Sequence, residues 1–217
     1  MRCTNLDRTA PAIRPRLGAR RATGVALWLW IAASSGICQA CVPLERAPAT
    51  SPPAASGTLR ARDFFPLAIG NRWSYSAGFA GANQTLTVAI VAHQGSVYQD
   101  SRGLQFILDR DGLRDDKRYL LKEPLELGQS WTSVVDLATS EHYKISELGV
   151  SVDVPAGHFD GCLRVEGRNP AQGVVLIVEQ TFCPGVGLTK LITFVEKGAE
   201  RGPPQFFQDL TSFNVKP

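Results

Sequence analysis

The sequence predicts an all-β fold, with one domain of about ten to eleven antiparallel strands spanning residues 63–217. Alternating and β-branched segments in this region are separated by short turns rich in Gly, Pro, Asn and Asp, which is typical of a meander. No window of the region keeps apolar residues at i, i+3, i+4 and i+7 over three turns, as a long amphipathic helix requires. Such a meander forms a curved open sheet, or a barrel-like or sandwich-like one.

Residues 1–40 have the pattern of an export signal. Six arginines and one aspartate come before an apolar core at residues 22–37. That core is 16 residues long, which is shorter than the roughly 20 residues needed to cross a bilayer comfortably. The pattern therefore favours a cleaved signal peptide over a retained anchor.

Cys41 follows Ala40 at the end of this signal, and the pair resembles the cleavage site of bacterial lipoproteins. In that class the thiol of the first mature residue receives a diacylglyceryl group, and a small residue precedes it. Position −3 is usually Leu in the motif but is Cys38 here, so ordinary signal cleavage after Ala40 is the alternative. Lipidation of Cys41 implies a membrane-anchored protein of the bacterial envelope, facing the periplasm or the cell surface from the outer membrane. Ordinary cleavage implies a periplasmic or secreted protein.

Residues 41–62 predict a flexible tether, because they are rich in Pro, Ala and Ser and offer no pattern for a core. After Cys41, 17 Lys and Arg remain against 19 Asp and Glu, which gives a net charge of −2. The excess of positive charge in the whole chain, +3, thus belongs to the leader. The mature sequence predicts no nucleic-acid partner.

The domain contains the motif Pro-Leu-x-x-Gly-x-x-Trp twice, 58 residues apart. The matching residues are Pro66 and Pro124, Leu67 and Leu125, Gly70 and Gly128, and Trp73 and Trp131. Each copy predicts a tight turn that delivers a Trp to the start of a strand, or the two copies mark two halves of a duplicated sheet. We expect both tryptophans in the core rather than stacked on a ligand.

The alternation of apolar and polar residues places the individual strands. We expect them at residues 73–75, 84–92, 96–100, 104–108, 113–121, 132–136, 143–154, 162–168, 174–182, 188–196 and 206–213. The segment 109–116 contains four aspartates, a composition that could attract calcium. It lacks the D-x-D-x-D-G spacing, and Arg110 and Arg114 would oppose a cation, so we interpret it as a solvated turn.

Two cysteines, Cys162 and Cys183, lie in the predicted domain. If the hairpin between their strands turns at Gln172 and Gly173, the two cysteines stand opposite each other, since paired positions then add up to 345. Exported compartments are oxidising, so we predict a cross-strand disulfide. The residues that follow, Pro184, Gly185 and Gly187, predict a tight reversal into the next strand.

The sequence offers little for catalysis. Its three histidines, His93, His142 and His158, are not spaced as metal-binding pairs, and it contains no G-x-S-x-G motif. Cys162 with His158 is a conceivable nucleophile and base, but a disulfide would remove the thiol. No glycine-rich loop precedes a helix to hold a phosphate. We therefore predict no enzyme, no catalytic residue, no metal and no cofactor.

Five phrases resemble a loosely defined set of bacterial exported proteins, many of them lipoproteins. They are F-P-L-x-x-G-x-x-W-x-Y at residues 65–75, R-D-G at 110–112, P-L-x-x-G-x-x-W at 124–131, V-P-A-G-x-F-x-x-C-L-x-V at 154–165, and an aromatic-x-P-G-V-G-L-x-K phrase at 182–190. The set has no assigned reaction, so the resemblance implies no catalytic residue. The position of Cys183 is often Ala in the set, which implies that the disulfide is particular to this chain.

Two functions from different classes remain. The favoured interpretation is a tethered binding or scaffold module that meets other envelope proteins through its loops or edge strands. The alternative is a carrier of a lipid or other hydrophobic ligand on an apolar concave sheet face, lined by residues 85–91 and 174–178. A carrier requires a continuous apolar cavity and a scaffold does not, so the presence of a cavity separates the two.

Overall fold

The computed structural model describes residues 58–79, 82–136 and 139–216, which all belong to one compact unit, Pro53–Pro217. The predicted signal peptide, Cys41 and most of the predicted tether lie outside the described residues. The elements are α1 (Ala61–Phe64), β1 (Arg72–Phe79), β2 (Ala82–Gln94), β3 (Val97–Asp100), β4 (Gln105–Asp109), β5 (Gly112–Arg114), β6 (Tyr119–Lys122), β7 (Ser130–Val134), β8 (Ser140–Val154), β9 (Gly157–Ala171), β10 (Val174–Cys183), β11 (Gly187–Lys197), β12 (Glu200–Arg201) and β13 (Phe206–Asn214).

All of these strands belong to one antiparallel sheet. Its order is β6-β5-β4-β3-β2-β1-β13-β11-β10-β9-β8-β7, and β12 pairs with β11 beside this path. Two meanders, β1 to β6 and β7 to β11, therefore run in opposite directions from the centre, where β13 joins them. The sheet curves into a nearly closed barrel. Of the three predicted forms, the barrel-like one is therefore confirmed.

Side chains bridge the seam between the edge strands β6 and β7. Trp131 Nε1 donates a hydrogen bond to the carbonyl oxygen of Tyr119 at 3.0 Å. The Arg118 guanidinium donates to both carboxylate oxygens of Glu141, on β8, at 3.1 and 2.9 Å. These bonds hold the two ends of the sheet together where no strand pairing does so in the described residues.

The predicted strand number is too low for a physical reason. The sequence predicts one strand over residues 113–121, but the chain reverses between β5 and β6. The Asp115 carboxylate accepts hydrogen bonds from the backbone N–H groups of Lys117 and Arg118 at 2.7 Å, which stabilises a tight turn. The two-residue strand β12 adds the second missing strand, and it is too short to show alternation. The short helix α1 begins at Ala61, close to the predicted start of the domain, and Ala61 is fully buried.

The repeated motif forms the same turn twice, as predicted. The N–H of Gly70 donates to the carbonyl of Ile90 at 2.9 Å, and the N–H of Gly128 donates to that of Ile145 at 2.9 Å. Both glycines have positive φ, +92° and +84°, which other residues adopt only with strain. Each turn delivers its Trp to the start of a strand, β1 or β7.

The predicted register of the β9–β10 hairpin is confirmed. Val174 pairs with Ala171 and Phe182 with Leu163, so paired positions add up to 345. Gln172 and Gly173 form the turn, with φ of +47° and +83°. The predicted disulfide between Cys162 and Cys183 is present, and both cysteines are fully buried.

Trp73 ties the first strand to the reversal between β10 and β11. Its Nε1 donates to the Val186 carbonyl at 2.6 Å, and its ring stacks on Phe65 with a centroid distance of 5.4 Å. A Cβ added to Gly187 would come within 3.2 Å of Trp73 Nε1, so the glycine makes room for the indole. Trp73 and Trp131 are 1% and 5% exposed, which confirms that both are core residues.

No helix in the described part of the chain is both long enough and apolar enough to span a bilayer.

We expect the replacement Trp73→Ala to lower the free energy of unfolding by about 3–5 kcal/mol, because it removes a buried aromatic ring and leaves a cavity. Urea unfolding followed by circular dichroism measures the change. Val134, which is 73% exposed, gives the control, and Val134→Ala should stay within about 0.5 kcal/mol of the unaltered protein. Equal stability of the two variants would contradict the role given to Trp73.

Candidate functional site

The inside of the curved sheet holds a cavity of about 210 Å³, here called the concave cavity. Aromatic rings form its floor: Phe65 lies 5.3 Å from Phe106 and 6.3 Å from Phe182 between ring centroids. Its apolar walls are Tyr75, Leu86, Val88, Leu120 and Leu188. Its polar lining residues are Asp100, Arg102, Asp115, Gln180 and Gln208. The cavity is thus apolar at its base and has polar groups that converge on it.

The strand pattern places these side chains. Successive residues of a strand point to opposite faces, so Tyr75 on β1 and Leu86 and Val88 on β2 share the inner face. Tyr75 is held in place because its hydroxyl donates to the Leu188 carbonyl at 3.0 Å. Burial raises the pKa of that hydroxyl well above its usual range, so it remains a donor.

Apolar side chains continue along the inner face beyond the concave cavity. Directly paired residues of antiparallel strands lie on the same face, so pairing defines a row across seven strands, here called the concave row. Its members are Phe79, Phe206, Thr193, Val178, Gly167, Tyr143 and Trp131. The row belongs to the inner face because Phe79 and Val178 are each an even number of residues from the cavity-lining Tyr75 and Gln180.

The two ends of the concave row differ in burial. Trp131 stacks on Tyr143 with a centroid distance of 5.7 Å, and a Cβ on Gly167 would come within 2.5 Å of the Tyr143 ring. Phe79, at the other end, packs on Phe206 in a T-shaped arrangement with a centroid distance of 5.3 Å, but it is 66% exposed. Leu176, two residues from Val178 on the same face, is 41% exposed. The inner face therefore leaves apolar surface in contact with water.

The predicted lining of a carrier site agrees in part with this arrangement. Leu86 and Val88, from the predicted segment 85–91, line the concave cavity. Leu176 and Val178, from the segment 174–178, instead line a separate cavity of about 30 Å³ beside Tyr143. Ile177 lies between Leu176 and Val178, whose side chains point inward, so its own side chain points to the outer face. It is nevertheless fully buried.

A charged network covers the outer face at Ile177. Ile177 pairs with Arg168 on β9 and with Phe194 on β11. Arg201 lies over the Phe194 ring at 5.1 Å. The network joins Arg168 and Arg201 to Glu166, Glu179 and Glu196. Because every charge in it has an opposite partner, we interpret the network as a structural cover for the outer face.

Asp100 has the most unusual environment among the groups that line the concave cavity. Its side chain ends β3 and is buried, with the whole residue 2% exposed. Its Oδ1 accepts hydrogen bonds from the backbone N–H groups of Arg102 and Leu104, each at 2.8 Å. Its Oδ2 is buried and has no hydrogen-bond partner among the described residues. Asp100 was not among the residues predicted for a site, although the turn sequence Asp-Ser-Arg-Gly that begins at the last residue of β3 indicates a capping role for it.

The residues considered for catalysis do not form a reactive group. The disulfide occupies the Cys162 thiol. His158 contacts Asp153 and Asp160 on the exposed β8–β9 hairpin, whereas His93 stacks on Tyr98 and His142 contacts Thr132. Within the described residues, no group of three or more His, Cys, Asp or Glu side chains is arranged to hold a metal ion. The absence of enzyme activity stays a prediction.

The aspartates of the segment 109–116 are engaged with protein groups. Asp109 Oδ2 accepts hydrogen bonds from Arg114 Nε at 3.0 Å and from the Tyr119 hydroxyl at 3.3 Å. Asp115 caps the turn before β6. These contacts fit the interpretation of the segment as turns.

Comparisons with known proteins give little beyond this description. No protein-family model and no curated protein matches the chain. One similar solved structure is a predicted lipoprotein from Parabacteroides distasonis, 13% identical over 70% of this chain and 98% of that one, with a TM-score of 0.40. Another is a predicted exported protein with a YmcC-like fold from Bacteroides fragilis, 12% identical over 70% of this chain and 99% of that one, with a TM-score of 0.41. Likeness at this level identifies no family and no function.

His158 should titrate above its ordinary pKa of 6.5. The hydrogen bond that Nδ1 of His158 donates to Asp153 Oδ1 at 2.7 Å raises the pKa, and the negative charges of Asp153 and Asp160 add to the effect. A raised pKa in the folded state means that the stabilisation is complete below pH 6.5 and disappears as pH rises through the folded pKa. NMR titration of the His158 ring measures the midpoint.

Asp153→Asn should move this midpoint down, whereas Asp116→Asn, which alters an acid outside the cluster, should leave it unchanged. A midpoint at or below 6.5 in the unaltered protein would show that the contacts with Asp153 and Asp160 do not persist in solution.

Proposed function

We propose that the chain is an exported protein of the bacterial cell envelope whose domain binds the apolar part of a ligand on its concave face. The sequence alone favours a tethered binding or scaffold module and keeps the carrier as the alternative. The concave cavity moves the preference to the carrier, because a scaffold has no need of an apolar cavity.

The observation that supports the proposal most is the exposed apolar surface on the inner face. Phe79, Leu104 and Leu176 are 66%, 47% and 41% exposed. Phe79 and Leu176 belong to the inner face, and Leu104 lines the concave cavity. Exposed apolar side chains on a concave face are typical of a ligand or partner site. A ligand there would remove this surface from water at a gain of roughly 25 cal/mol per Å².

The size of the concave cavity limits the ligand. Sites for drug-sized molecules usually enclose roughly 300–1,000 Å³, whereas this cavity encloses about 210 Å³. It fits one small apolar group or the end of a single acyl chain, and the concave row can support what extends beyond it. A complete diacyl lipid would not fit inside.

The position of the protein follows from its N-terminal sequence. The pair Ala40–Cys41 supports a diacylglyceryl group on Cys41, and residues 42–57 supply a tether between that anchor and the domain. A tethered carrier would stay close to the bilayer while its cavity remains free to receive a ligand. An unmodified Cys41 in the mass spectrum of the protein isolated from the membrane fraction would contradict this part of the proposal.

We expect the purified protein to bind N-phenyl-1-naphthylamine, an apolar probe whose fluorescence rises in apolar surroundings. Phe79→Lys should weaken this binding about tenfold, because a charge replaces an apolar contact worth roughly 1.4 kcal/mol. Phe79 is 66% exposed, so the variant should remain folded. Fluorescence titration measures the dissociation constants.

The matched control is Val134→Lys, which places the same charge at an apolar residue that is 73% exposed but belongs to the outer face. It should bind the probe as the unaltered protein does. Absence of probe binding by the unaltered protein, or equal weakening by both variants, would contradict the concave site and leave the scaffold as the better interpretation.

A further inference from the structure

We propose that the natural ligand bears a hydrogen-bond donor, an ammonium or hydroxyl group, that pairs with the buried Oδ2 of Asp100 at the concave cavity. This inference rests on the proposed function and specifies the polar end of the same ligand.

The turn at residues 100–104 fixes the Asp100 carboxylate. The backbone N–H of Asp100 donates to the Leu104 carbonyl at 2.9 Å, and that of Gly103 donates to the Asp100 carbonyl at 3.0 Å. The N–H of Ser101 donates to the Ala89 carbonyl at 2.7 Å, and the side-chain Oδ1 accepts the last two N–H groups, from Arg102 and Leu104. The turn is therefore complete without Oδ2.

A buried carboxylate oxygen without a donor is unfavourable. A polar group that loses its hydrogen bonds to water on burial is destabilising, and a charged one more so. Native structures satisfy nearly all such groups with protein, water or ligand atoms. Asp100 is 2% exposed and helps to line the concave cavity, so a donor attached to an apolar body inside the cavity is well placed to satisfy Oδ2.

The other charged groups of the cavity are less suited to the ligand. Asp115 Oδ1 accepts hydrogen bonds from two backbone N–H groups, and its Oδ2 lies 3.4 Å from Arg118 Nε. The Arg102 side chain has no ion pair among the described residues, but Arg102 is exposed, and a pair formed there would contribute little. With two carboxylates and one exposed guanidinium, the cavity favours a donor or a cation over an anion.

Three probes with the same tail test the inference: octylamine, 1-octanol and octanoate, measured by isothermal titration calorimetry at pH 7 on the full protein. We expect octylamine and octanol to bind at least tenfold more tightly than octanoate. This comparison uses the unaltered protein, so it does not depend on whether any variant folds.

Asp100→Asn tests the residue itself. An asparagine oxygen can replace Oδ1 in the turn, and its amide then presents a donor where Oδ2 was an acceptor. Octylamine should bind at least tenfold more weakly to this variant, and octanoate more tightly. Glu200→Gln removes the same charge at an exposed residue outside the cavity and should change neither affinity by more than about twofold.

The outcomes separate the two proposals. If none of the three probes binds, the proposed function itself is wrong. If all three bind equally and Asp100→Asn has no effect, the concave site stands, and Oδ2 holds a water molecule only, which overturns this inference. A preference for octanoate that Arg102→Gln removes would also overturn it, in favour of an anionic ligand.

Discussion

The described strands form one curved sheet, so most apolar side chains can be buried only on its inner face, and this constraint governs the molecule. The curvature must be held at one end for the inner face to form at all. Trp73 does so by stacking on Phe65 and donating to the Val186 carbonyl, which joins β1 to the reversal between β10 and β11. Trp131 performs the related task at the seam, where it donates to the Tyr119 carbonyl.

The same constraint produces the candidate site. Residues near the Trp73 end pack fully against one another, and Phe182 and Leu210 are 1% and 0% exposed. At the opposite end of the concave row from Trp131, Phe79 is largely exposed among the described residues. The concave cavity lies between these regions, with aromatic rings below it and the turn of Asp100 beside it. The cavity exists because side chains pack the inner face fully near Trp73 and leave it open toward Phe79.

Much of the fold was predictable because local chemistry determines it. The glycines of the two repeated turns require positive φ, and Gln172 with Gly173 fixes a two-residue turn from which the register and the disulfide partner follow. The Asp115 turn was missed because residues 115–118 contain no Gly, Pro or Asn to mark a reversal. Part of the apolar lining, Leu86 and Val88, was predicted, but Asp100 was not, because it lies beside a pairing irregularity between Ile90 and Ala92 that depends on tertiary packing.

The most direct test of the central claim is native mass spectrometry of the protein released gently from the envelope. A concave site predicts a reproducible additional mass of one small apolar molecule, which dissociates on collisional activation. A diacylglyceryl mass on Cys41 would remain, since it is covalent. A protein without any dissociable mass, from several independent preparations, would contradict a ligand-binding function and turn attention to protein partners.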